Sequence, residues 1–221
     1  MNISGLVKTT TIDYPGALAA AVFTPGCNYD CGFCHNRMLL ASSGKMLDDA
    51  EVLGFFEKRR GLLDGVVISG GEPTLQKDLV PFARTLKKMG YKVKLDTNGS
   101  RPQVVESLLS GGLLDYVAMD YKAPFSEYPR ICGADASGVQ QSIKLLHEAG
   151  IEWEMRTTVI PELSEAALVS MAQAVPVLPR YALQLFRPGQ SAQQQHVYTP
   201  PEIEDMCGIV RQFQPNAFAR C

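Results

Sequence analysis

With 221 residues, 46% of them hydrophobic and 20% charged, the chain has the size and composition of an ordinary globular protein and is read as a single domain over residues 1–221, with 1–18 as an N-terminal extension packing on it. A net charge of −2 gives no electrostatic reason to expect nucleic acid, and no apolar run approaches the length needed to cross a bilayer, so no membrane partner is expected. The stretch from Met1 to Lys8 lacks the basic region and apolar core of a secretory signal, which predicts a cytoplasmic protein, where six cysteines are ligands or buried thiols rather than a disulfide framework.

Strand-like and helix-like stretches alternate along the chain. Ala19 to Thr24 is a short apolar run that ends at Pro25-Gly26 and predicts a strand feeding a loop. Leu47 to Arg60 has helical spacing at Leu47, Val52, Leu53 and Phe56, with Asp48 and Asp49 near its start. Gly65 to Ser69 predicts a strand stopped by Gly70-Gly71, and Gln76 to Met89 a helix closed by Gly90. Tyr91 to Leu95 and Tyr116 to Met119 follow as strands, with helices at Pro102 to Leu109 and Gly138 to Ala149. Glu152 to Ile160 and Ala182 to Phe186 are the last strands, with helices at Ser164 to Val175 and from Glu202 to about Phe213. Ser191 to His196 reads as a polar loop.

These are six β–α units, and strands alternating with helices imply parallel strands joined by right-handed crossovers. The pattern alone also permits an open doubly wound sheet. An incomplete barrel is favoured because the unusual residues gather at the strand ends and must converge on one centre.

The first strand delivers Cys27-Asn28-Tyr29-Asp30-Cys31-Gly32-Phe33-Cys34. Three thiols so close leave one unpaired in any disulfide scheme, whereas three soft ligands on one loop suit an iron–sulfur cluster or a zinc ion. His35 follows Cys34 directly, so a zinc site of three cysteines and one histidine stays open by composition, although no second ligand pair exists elsewhere. Cys132, Cys207 and Cys221 are scattered and read as buried or incidental thiols. The second strand ends in Gly70-Gly71-Glu72-Pro73, where paired glycines let backbone approach a ligand without interference from a Cβ. Asp96-Thr97-Asn98-Gly99 and Asp120-Tyr121-Lys122 end the next two strands. Arg156 lies mid-strand among apolar neighbours, and strand alternation allows it to face either the barrel interior or the exterior.

The C-x3-C-x-aromatic-C run, with Phe33 as the aromatic, followed by Gly70-Gly71-Glu72-Pro73, resembles the radical S-adenosylmethionine superfamily. The resemblance implies a partial (β/α)6 barrel and a [4Fe-4S] cluster held by Cys27, Cys31 and Cys34. It further implies S-adenosyl-L-methionine on the open iron, with Phe33, Gly70, Gly71, Glu72, Asp96, Asn98, Asp120, Lys122 and Arg156 around the cofactor. Cys34-His35-Asn36 together with the Asp96 and Asp120 segments is similar to the glycyl-radical-enzyme activases. In that group a monovalent cation joins the cofactor region, which here would fall to Asp96, the Thr97 and Ala118 carbonyls, and Asp120.

Gly5 to Thr9 and Ile12 to Gly16 resemble the activating proteins of anaerobic ribonucleoside-triphosphate reductase, a likeness that runs on to Arg187-Pro188-Gly189. The expected partners are therefore a glycyl radical enzyme, with anaerobic ribonucleotide reductase as the specific expectation, and a low-potential electron donor such as flavodoxin or ferredoxin. The alternatives are a radical S-adenosylmethionine enzyme acting on a small molecule or peptide, and a non-catalytic metal-binding protein.

Overall fold

One sheet of eight strands organises the molecule, and its spatial order is the order of the sequence, β1 to β8. The computed structural model describes residues 1–40, 46–187 and 197–221. The strands are β1 Gly5–Thr10, β2 Ala19–Thr24, β3 Gly65–Gly70, β4 Lys92–Thr97, β5 Tyr116–Asp120, β6 Glu152–Val159, β7 Tyr181–Leu185 and β8 Ala217–Arg220. β1 pairs antiparallel with β2, and every later pair is parallel. The helices are α1 Asp49–Lys58, α2 Leu79–Lys88, α3 Pro102–Ser110, α4 Tyr128–Cys132, α5 Ser137–Glu148, α6 Glu165–Gln173 and α7 Pro200–Val210. The six expected β–α units run from β2–α1 to β7–α7, as an open, partial barrel.

Three differences from the sequence reading have local causes. The extension over 1–18 does not merely pack on the barrel, because Gly5–Thr10 joins the sheet as β1. β8, only four residues long, adds a strand after the sixth unit. α7 starts at Pro200 rather than Glu202, since proline fits the first helical turn, where its missing N–H costs nothing. Thr199 and Glu202 close a reciprocal capping box at that end. The Pro188-Gly189 pair and the polar loop from Ser191 to His196 lie outside the described residues.

Strand alternation sorts side chains into two layers. Ala20 and Val22 of β2 join the large core beneath the helices, whereas Ala19 and Ala21 point into the barrel. Small residues on that inner face leave room at the floor for Tyr14, which packs against Tyr116 with ring centroids 5.9 Å apart.

The glycines at the end of β3 have a more specific role than close approach to a ligand. A Cβ on Gly70 would lie 2.3 Å from both the backbone nitrogen and oxygen of Thr24, and Gly70 has φ +134°. A Cβ on Gly71 would lie 2.1 Å from the Gly26 carbonyl oxygen. The Gly71 and Glu72 N–H groups donate to the carbonyls of Thr24 and Gly26 at 2.9 and 2.8 Å. The paired glycines thus clamp the root of the cysteine loop backbone to backbone. Gly71→Ala must push that loop away, at a cost of about 2–3 kcal/mol for forced overpacking. The expected result is a melting temperature lower by roughly 4–10 °C, measured by thermal denaturation.

Candidate metal and cofactor centre

A cavity of about 550 Å³ opens at the carboxyl ends of the parallel strands and reaches down to Asp13. Cys27, Cys31, Phe33, Cys34, Gly70, Gly71, Asp96, Asn98, Asp120, Lys122 and Arg156 all line it. Of the predicted site residues only Glu72 does not.

Glu72 is instead fully buried beneath the wall. One carboxylate oxygen accepts from the Thr74 N–H at 3.0 Å, the Thr74 hydroxyl at 2.5 Å and the Thr97 hydroxyl at 2.7 Å. The other accepts from the Asn98 N–H at 2.6 Å. Burial raises its pKa, against the pull of these donors. With its acceptor capacity occupied, Glu72 ties the end of β3 to the end of β4. Asn98, fixed this way, turns its side-chain amide toward the Cys27 sulfur at 3.8 Å and the side-chain oxygen Oδ1 of Asn28 at 3.0 Å. The acidic member of the motif therefore shapes the wall from behind.

The cysteine loop is held from several sides. The Tyr29 N–H donates to Cys27 Sγ at 3.4 Å, and the Cys34 N–H to the Cys31 carbonyl at 3.1 Å. Arg37 reaches back to the Cys31 carbonyl at 3.2 Å and to the Asp30 carboxylate at 3.0 Å. Burial pushes the Cys27 thiol up. The Cys31 thiol is drawn down to about 7, chiefly by its hydrogen bond with Cys132, which is pushed up in turn. Cys132 is buried, as expected, and its carbonyl accepts from the Asp30 N–H at 3.0 Å, next to the central cysteine of the loop.

Opposite the cysteines, inward-facing charges form a ladder. Lys94 pairs with Asp96, and Arg156 bridges the two aspartates, with Nη1 3.5 Å from Asp96 and Nε 2.9 Å from Asp120. Lys122 closes the series on Asp120 at 3.1 Å and lies 5.9 Å from the Phe33 ring centre. Arg156 therefore faces the interior. Burial works against the Asp120 carboxylate, but Arg156 and Lys122 overrule it and hold the group down at about 2. Asp96 is also burdened by burial and lowered by Arg156 and Lys94. Deeper in, Glu154 takes a bidentate pair from Arg220 at 3.0 and 2.6 Å.

Sequence reasoning missed Lys94, Glu154 and Arg220. The signal was present in the two-residue spacing of Lys94 with Asp96 and of Glu154 with Arg156, which puts each pair on one strand face.

The donor set and its surroundings fit a cluster better than one ion. Among the described residues, no three His, Cys, Asp or Glu side chains converge as they would around a single metal ion. Three thiols spread along the wall of a roomy cavity suit a polynuclear centre, in which each thiolate takes its own iron.

Comparison with known proteins agrees with that chemistry. The sequence model of the Radical SAM superfamily matches residues 21–175. The chain belongs to this superfamily. As a radical S-adenosylmethionine enzyme it uses its family's cofactors, a [4Fe-4S] cluster and S-adenosylmethionine. It is 33% identical over 99% of its length to a Methanocaldococcus jannaschii protein described as a "Putative glycyl-radical enzyme activating enzyme", covering 95% of that protein. It is 28% identical over 75% of its length to the pyruvate formate-lyase-activating enzyme of Clostridium pasteurianum, covering 71% of it.

Among solved structures, Streptococcus suis SuiB bound to S-adenosylmethionine shares the fold of this radical S-adenosylmethionine enzyme. The TM-score is 0.70 at 14% identity, over 91% of this chain. The chain spans about half of SuiB, 52% of its length. Among the described residues no helix is long and apolar enough to cross a membrane.

Proposed function

We propose that this radical S-adenosylmethionine enzyme is a glycyl-radical-enzyme activase, with Cys27, Cys31 and Cys34 as the cluster ligands. When bound, the cluster and S-adenosylmethionine supply a 5′-deoxyadenosyl radical by one-electron cleavage of the sulfonium, and that radical takes a hydrogen atom from a glycine Cα of the partner. The chain's own residues position and enclose. Gly70, Gly71 and Asn98 form the wall beside Cys27, while Phe33 and Lys122 flank the cysteine loop. Asp96, Asp120 and Arg156 face the loop across the cavity and offer both signs of charge to a zwitterionic cofactor.

A monovalent cation, expected between Asp96 and Asp120, would have to share them with Lys94, Arg156 and Lys122, which already pair with both carboxylates. The guanidinium of Arg156 supplies positive charge at that place.

The observation that carries the activase reading is that the charged groups deep in the cavity pair with one another, through Glu154–Arg220 and the ladder from Lys94 to Lys122. They form a built charge ladder facing the cofactor, and no unpaired set among them is left for a second small polar substrate. Phe23, Phe33, Leu40, Leu185 and Phe186 add an apolar component to the cavity wall, suited to an entering polypeptide loop. The near full-length likeness to the M. jannaschii protein supports the same reading.

Within the activases, anaerobic ribonucleotide reductase is the partner we propose, on the likeness of Gly5 to Gly16, with a flavodoxin or ferredoxin as electron donor. The cytoplasm is the proposed compartment, in keeping with six free cysteines.

The test is anaerobic incubation of the reconstituted enzyme with reductant, S-adenosylmethionine and the candidate reductase. The expected result is a glycyl radical by electron paramagnetic resonance together with release of 5′-deoxyadenosine. Release of 5′-deoxyadenosine with no radical on any glycyl radical enzyme tried would favour a small-molecule or peptide substrate.

A further inference from the structure

The charge ladder leaves one stretch of the cavity wall uncharged and unpaired. On β6 and β7 the side chains of Met155, Val159 and Leu183 join the core beneath the helices, so Thr158 and Gln184 face the other way and line the cavity. Register places Thr158 beside Gln184, and Gln184 beside Arg220, in one row across three neighbouring strands. Arg220 is already neutralised by Glu154, at 3.0 and 2.6 Å. Thr158 and Gln184 are half-buried, and among the described residues neither side chain has a hydrogen-bond partner. Arg156, two residues before Thr158 on the same strand, is by contrast held by both aspartates.

We propose that Thr158 and Gln184 bind the main chain of the polypeptide segment that carries the target glycine. The inference rests on the activase reading and names a contact which that reading requires. A glutamine amide presents a carbonyl and N–H donors side by side, the complement of a peptide unit, and the Thr158 hydroxyl donates or accepts beside it. With Arg220 neutralised the row has no net charge, which suits a neutral main chain and leaves a phosphate or carboxylate without a counter-charge. Neighbouring strands lie about 4.8 Å apart, so the row from β6 to β8 spans roughly 10 Å, the length of about three residues of extended chain. It also runs toward the open side of the barrel, because β1 and β8 are the outer strands of the sheet. Asp13 and Phe23 line the cavity on the β1–β2 side of that gap, and Arg220 and Cys221 on the other. A segment of a larger protein needs such an opening, since both its ends must leave the cavity, whereas a small molecule needs none.

The measurement uses the reconstituted enzyme with S-adenosylmethionine and a fluorescently labelled peptide copied from the candidate reductase around its glycine, with binding read by anisotropy. Gln184→Leu and Thr158→Val remove the polar groups with little change in volume. Each is expected to weaken peptide binding about threefold to tenfold, the worth of one neutral hydrogen bond. Thr158→Ser, which keeps the hydroxyl, is expected to bind as the parent does. The KM for S-adenosylmethionine in partner-free release of 5′-deoxyadenosine is expected to stay at the parent value in every variant. Peptides N-methylated at single main-chain nitrogens around the glycine supply the decisive comparison. A position whose methylation weakens binding to the parent is expected to cost nothing further in Gln184→Leu.

Peptide binding unchanged in both polar-to-apolar variants, or a methylation series with no such position, overturns the proposal. A raised KM for S-adenosylmethionine in the partner-free reaction also overturns it, since the row would then hold the adenosyl end of the cofactor. A parent enzyme that releases 5′-deoxyadenosine but binds no peptide from any glycyl radical enzyme tried, and forms no radical on one, overturns the activase reading itself, so the two failures are told apart.

Discussion

Alanine at Cys27, Cys31 or Cys34 is expected to give a protein that stays colourless after anaerobic treatment with iron and sulfide and releases no 5′-deoxyadenosine. Each thiolate would take its own iron, so the loss of any one leaves an iron without its protein ligand. The three substitutions should nevertheless differ in what they do to the fold. Cys27 and Cys34 are partly exposed at the cavity wall, and their loss removes little packing. Cys31 is buried against Cys132, so its truncation also opens a small gap and costs about 1 kcal/mol more in the metal-free protein. Urea unfolding of the three metal-free variants checks the difference. Retention of the visible absorption and of cofactor cleavage in any of them would falsify the ligand assignment.

Arg156→Met is expected to have the largest effect on stability. Arg156 is shared by Asp96 and Asp120, and removing one partner from a buried ion network costs about 3–5 kcal/mol. Lysine should recover only part of this, since a single ammonium cannot present the planar fork that spans both carboxylates.

The pH dependence has a definite sign. A carboxylate whose folded-state pKa is depressed stabilises the fold above its ordinary pKa of about 3.9 and loses that contribution as pH falls through the folded value. For Asp120 that value is about 2. The gap between parent and Arg156→Met should therefore be widest near neutrality and narrow as pH drops below about 4, where the unfolded chain takes up protons that folded Asp120 does not bind until about 2. A gap that stays constant between pH 7 and pH 3 would show that Arg156 contributes by packing alone.

Much of this arrangement was legible in the sequence, for reasons that are physical. Glycines after strands and helices punctuated the six units, and the three-cysteine spacing left few chemistries open. Arg156 is placed inside only by the family resemblance, since strand alternation alone leaves it free to face either side; the structure decides it, with Met155 and Thr157 buried on the opposite side. The parts that stayed hidden follow a pattern as well. In β4 the sequence Lys92-Val93-Lys94-Leu95 reads like a sheet with one wet face, yet in a barrel that face is the interior, and Lys94 is buried there. β8 has four residues and α4 has five, too short for any periodicity to register. Glu72 looked like a ligand-binding acid because it sits in a conspicuous motif, while the donors that occupy it, Thr97 and Asn98, lie a full unit downstream. Cys132 is about a hundred residues from its neighbour Cys31, and no local signal can reveal such a contact.

The sheet order has a consequence for how the molecule is made. Because each strand pairs only with its neighbours in sequence, every β–α unit can dock on the one before it as the chain leaves the ribosome. The cysteine loop is therefore synthesised well before the strands that enclose it. Its far wall is missing until Asp120 and Arg156 arrive on β5 and β6, and its brace is missing until α4 has formed. A nascent chain caught before β5 would present three thiols with no far wall and only Lys94 and Asp96 of the charge ladder, and one caught before β6 would still lack Arg156, which joins the two aspartates.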